Sequence, residues 1–65
     1  MTKNEVKRLI ASTYGFAASK ITLLEASYDQ NGIPDYVMFE VCGVEYQCMP
    51  MRKSIVIYNG VGDAQ

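Results

Sequence analysis

Sixty-five residues with a net charge of −1 and 49% apolar side chains make one small domain with a core of its own, not a disordered or multidomain chain. The lack of histidine removes the commonest general base, the usual metal ligand and the Ser-His and Cys-His nucleophile pairs together. Two cysteines are too few for a disulfide-stapled scaffold, and no apolar run is long enough for a secretory leader or a membrane span, so the expectation is a cytosolic chain that starts at Met1.

Thr2-Lys3-Asn4-Glu5 fits a capping box, with Asn4 as a rival cap. Val6, Leu9, Ile10, Tyr14 and Ala17 then recur at helical spacing, with Thr13 on the same stripe. Lys3, Lys7, Arg8 and Ser12 cover the other side. Gly15 suits a left-handed cap that ends the helix at Tyr14. Phe16 is placed to fold back onto the helix, and residues 17–20 can add another helical turn.

Residues 21–28 read as the first strand. Its adjacent leucines, Leu23 and Leu24, imply a bulge or twist there, or a start buried from both sides. Residues 29–35 read as a loop, because Asn31-Gly32 supplies positive φ and Pro34 removes a ladder donor. Tyr36 to Met49 is the organising stretch. Val37, Phe39 and Val41 alternate into a turn at Cys42-Gly43, and Val44, Tyr46 and Cys48 alternate out of it. That turn predicts Val41 opposite Val44, Phe39 opposite Tyr46 and Val37 opposite Cys48. A slip of one residue would mix the apolar and polar faces. Cys42 and Cys48 then stand well apart along the strands, so both are expected as free thiols in a reducing compartment. Pro50 interrupts pairing or sits at an edge. Residues 54–58 are strand-like, either as a separate strand or as a continuation of the third. Asn59-Gly60 ends them, and Gly62 to Gln65 reads as a frayed tail. The fold class is therefore α+β: one N-terminal helix packed on a three- to four-stranded antiparallel sheet, in a single domain.

Charge is unevenly distributed. Residues 1–20 hold Lys3, Lys7, Arg8 and Lys20 against Glu5. Residues 21–51 hold Glu25, Asp29, Asp35, Glu40 and Glu45 with no Lys or Arg. The sheet is therefore acidic. A C-x5-C pair without further ligands makes no zinc site, and the glycines form no phosphate loop. No metal, cofactor or catalytic residue is expected, and the chain does not read as an enzyme. The basic residues of the helix read as a solvated face, and an acidic sheet repels phosphate, so no direct contact with nucleic acid is expected.

In the hairpin register Glu40 faces Glu45 on the side away from the core, a small local cost. Tyr36 and Met38 on one strand and Met49 on the other lie beside them. Apolar anchors among carboxylates suit a binding patch whose partner is basic. The competing reading is a plainly solvated face, or one partly covered by the tail or by residues 51–58.

The opening TKNEVKRLIASTYGF and the hairpin DYVMFEVCGVEYQCMP resemble the type I anti-CRISPR proteins of Pseudomonas phages and mobile elements, in particular those acting on the I-C subtype. The resemblance spans the chain. It implies a stoichiometric inhibitor in the cytoplasm of a bacterial host cell that binds a type I surveillance complex and keeps it from target DNA. It further implies an acidic, DNA-mimicking surface set against the basic residues of a Cas subunit. Glu25, Asp29, Asp35, Glu40 and Glu45, with Tyr36 and Met38 as anchors, are the residues this chain offers for that contact. The alternative class is a small antitoxin or immunity protein that neutralises a basic nuclease or toxin by the same electrostatics. A third is a homodimer pairing through the 54–58 edge, although a monomer is the expected state.

Overall fold

A computed structural model describes residues 1–59. Of the expected strand stop at Asn59-Gly60, Gly60 lies outside the described residues, as does the tail from Gly62.

The capping box forms as the sequence dictates, and Thr2 rather than Asn4 is the cap. The Glu5 N–H donates to Thr2 Oγ1 at 3.2 Å, and the Thr2 N–H donates to Glu5 Oε1 at 2.7 Å. The second bond is the main reason the Glu5 carboxyl titrates below its ordinary range. Helix α1 runs Lys3–Tyr14 and ends at Gly15, whose φ of +84° puts it in the left-handed region. A single 3-10 turn at Ala18–Lys20 leads into the sheet.

The sheet has four antiparallel strands in chain order: β1 (Thr22–Tyr28), β2 (Pro34–Val41), β3 (Val44–Met49) and β4 (Ser54–Asn59). The β2–β3 register is the expected one, with Val37 opposite Cys48, Phe39 opposite Tyr46 and Val41 opposite Val44. Cys42 and Gly43 both have positive φ, +53° and +83°, the signature of a tight turn that matches strand twist. In β1, Leu23 pairs with Phe39 and Glu25 with Met38, so Leu24 is the extra residue of a bulge. Residues 54–59 form a strand of their own, separated from β3 by a 3-10 turn at Pro50–Arg52 and by Lys53 at φ +55°.

Three expectations change. Pro34 and Asp35 belong to β2 rather than to the loop: Pro34 is the strand's first residue, where a missing N–H is tolerated, and Asp35 is bulged out between the Tyr28–Pro34 and Ser27–Tyr36 pairs. Of the expected helix stripe Val6 and Ile10 are fully buried, but Leu9 is only half-buried. Phe16 packs on the sheet rather than back on the helix. Its ring lies 5.5 Å edge-on from Phe39 and 5.2 Å from Tyr46, while Phe39 and Tyr46 stack at 5.2 Å.

The core comprises Val6, Ile10, Ile21, Val37, Phe39 and Cys48. Two contacts orient the helix over it. The Met1 ammonium donates to the Gly32 carbonyl at 3.4 Å, and the Tyr14 hydroxyl donates to the Ser54 carbonyl at 2.7 Å. The helix therefore starts by the β1–β2 loop and finishes by the start of β4, crossing the strands. It covers one face of the sheet, and among the described residues no element covers the other; the expected alternative of partial cover by the tail lies outside the described residues. Among the described residues no helix is long and apolar enough to cross a membrane.

Candidate interaction face

Strand alternation decides which side chains reach the bare face. Three cross-strand rows result. Thr22 lies opposite Glu40, which lies opposite Glu45. Glu25, Met38, Gln47 and Val56 form the second row, one residue from each strand. Ser27 pairs with Tyr36 and Met49 with Ser54, and Tyr36 and Met49 lie one step beyond the Val37–Cys48 pair. Three carboxylates stand in these rows, and no Lys or Arg does.

Of the residues singled out from sequence, Glu25, Tyr36, Met38, Glu40 and Glu45 come together here. Glu25 is exposed, and the other four are half-buried by their neighbours on the sheet. Asp35 stands at the end of the face. With Tyr36, Met49, Met51 and Arg52 it lines an open depression of about 260 Å³. The segment after β3 therefore flanks the face at its end, and β4 extends the face sideways instead of covering it.

Asp29 is placed differently. It sits in the β1–β2 loop, at the opposite end of the sheet from the Cys42-Gly43 turn. Its Oδ1 accepts from the N–H of Asn31 at 2.8 Å and of Ile33 at 3.0 Å. That carboxylate closes a turn, a role an Asp two residues before Asn-Gly announces in sequence. Glu40 also has a structural contact that sequence reasoning missed: its Oε2 accepts from the Gly43 N–H at 3.1 Å. The amide dipole offsets part of the repulsion from Glu45 across the hairpin. Glu40 therefore has a folding role in the turn that offsets part of the cost of facing Glu45. A carboxylate two residues before a two-residue turn was the available signal.

The chemistry of the face is that of recognition. Acceptor-only carboxylates, one phenol and two thioethers suit guanidinium and ammonium groups whose stems lie along apolar atoms. Among the described residues no three Cys, Asp or Glu side chains gather as a metal site. Cys42 is an exposed free thiol in the turn, and Cys48 is a buried one on the core face.

No family model, curated protein or solved structure matches the chain.

Proposed function

We propose that this chain is a non-enzymatic inhibitor of the type I anti-CRISPR kind. In this reading it acts in the cytoplasm of a bacterial host cell. Its bare sheet face binds a basic surface on a Cas subunit of the surveillance complex and keeps target DNA away. The observation that carries the reading is the set Glu25, Glu40 and Glu45 on one face that no described element covers, with Met38 beside Glu25 and Tyr36 in the next row. A channel built for a phosphate backbone presents Lys and Arg, which accept carboxylates on the same terms. The phenol and thioether supply the desolvated contact that charge alone lacks. Asp35 extends the acidic surface, and Asp29 adds charge at the loop end. The helix exposes Arg8 on the far side of the sheet, while Lys3 stands at the β1 edge near Glu25, so it is the far-side charge that favours a face-first approach to a basic partner.

The test uses Glu25→Lys with Glu45→Lys, and separately Glu40→Gln, which keeps an amide oxygen for the Gly43 N–H while removing charge. With circular dichroism unchanged, the double variant should bind the surveillance complex at least ~10-fold more weakly, about 1.4 kcal/mol. The target-DNA shift that the native chain suppresses should return. Full inhibition by the double variant would contradict the reading. Capture of a basic nuclease or toxin in place of the surveillance complex would assign the same face to the antitoxin class.

A further inference from the structure

The two edges of the sheet are not alike. The β1 edge is protected in the ways that stop edge-to-edge pairing: a bulge at Leu24, the charge of Glu25 and the nearby Lys3. The β4 edge has a bulge of its own at Tyr58 but none of the charge. Residues 54–59 contain no Asp, Glu, Lys, Arg or Pro. Val56 is 58% exposed on the acidic side, Ile57 64% exposed on the helix side and Tyr58 61% exposed at the bulge opposite Glu45–Tyr46. Ile57 lies opposite Tyr46, beyond the area that α1 and Phe16 cover.

We propose that the β4 edge pairs antiparallel with the β4 edge of a second copy of this chain. Charge selects that occupant. Arg52 and Lys53 immediately precede β4, so a basic partner of the kind proposed for the open face would meet like charge at this edge. Antiparallel self-pairing places the two basic corners at opposite ends of the joint, and the strands between them are neutral. A two-fold axis normal to the sheet keeps both helices on one side. It also merges the two open faces into one eight-stranded surface with two sets of Glu25, Glu40 and Glu45. A joint confined to one six-residue strand from each copy is smaller than the about 1,200 Å² at which stable interfaces begin, so the pair forms in a concentration-dependent equilibrium.

The test needs no partner, so its failure is separate from failure of the inhibitor reading. Sedimentation equilibrium of the full chain from ~10 µM to ~1 mM should show a shift from one chain to two. The shift should persist in 1 M NaCl, because backbone pairing and apolar contact are not screened. Ile57→Lys, and independently Tyr58→Lys, should return the single-chain mass at ~1 mM with circular dichroism unchanged, since both side chains are exposed. A single-chain mass at all concentrations would overturn the proposal, as would a dimer that neither variant weakens. A dimer formed only by a variant ending at Asn59 would also overturn it, since residues 60–65 would then be the edge's occupant.

Discussion

Phe39 shows how much one side chain decides in a chain this short. It is fully buried, stacked on Tyr46 and met edge-on by Phe16. Phe39→Ala should cost about 3–5 kcal/mol, a large share of the stability of so small a domain, and urea titration should find the variant largely unfolded. Ile10 and Leu9 make a sharper comparison, because helical spacing alone puts both on the apolar stripe. Ile10 is fully buried and Leu9 half-exposed. Ile10→Ala should lose about 2–5 kcal/mol, and Leu9→Ala should fall below that range. Equal losses would contradict the helix rotation described here. Tyr14 and Cys48 make stability sensitive to alkali. Burial first, then the neighbouring Cys48 thiolate, pushes the Tyr14 phenol from 10.0 up to about 12. Burial likewise raises the Cys48 thiol above 9.0. Both groups are neutral in the fold, so their contribution is complete below their unfolded values. It is lost as pH climbs through the range from about 9 for the thiol and from about 10 to 12 for the phenol. Denaturation midpoints should fall across that window. Tyr14→Phe should start lower, having lost the Ser54 bond, and should fall less steeply above pH 10.

The central hairpin was legible in sequence because two signals agreed. Alternation fixed which residues share a face, and a two-residue turn fixed the pairing across it. The turn still carries strain, since Cys42 has a side chain at φ +53°. Cys42→Asn, better suited to that conformation, should raise stability by up to ~1 kcal/mol, measurable as a higher urea midpoint. The two adjacent leucines left a bulge, a twist or a start buried from both sides open, and the structure has the bulge, at Leu24. Other elements were not legible. Pro34 and Asp35 read as loop because Pro was weighed as a breaker, yet the first position of a strand accepts it. The rotation of α1 depends on where Gly32 and Ser54 anchor its two ends, and helical spacing alone does not carry those long-range contacts. The same limit hid the exposure of Ile57: a β-branched run announces a strand but not how far a helix will reach over it.

At the scale of the whole molecule, the charge asymmetry along the chain becomes an asymmetry in space. The acids of residues 21–51 divide into a face and its surroundings, with Glu25, Glu40 and Glu45 on the face, Asp35 at its end and Asp29 drawn into a turn. Sequence supplied Glu40 and Glu45 through strand parity, but Glu25 only through the run of acids, because the bulge at Leu24 decides which face it takes. It missed the turn contact of Glu40, because a carboxylate's partner depends on side-chain reach as well as register. If the face works through these charges, binding should weaken steadily as ionic strength rises, chiefly through a slower association rate.

The acidic face is proposed to occupy the DNA-binding surface of a type I surveillance complex. The most direct test is recovery of tagged protein from cells carrying a type I-C complex, followed by a target-DNA binding assay on what is recovered. The complex should come down with the protein and no longer shift target DNA, and Glu25→Lys with Glu45→Lys should lose both effects. Recovery of nothing from that complex, or of a complex that still binds DNA, would contradict that proposal.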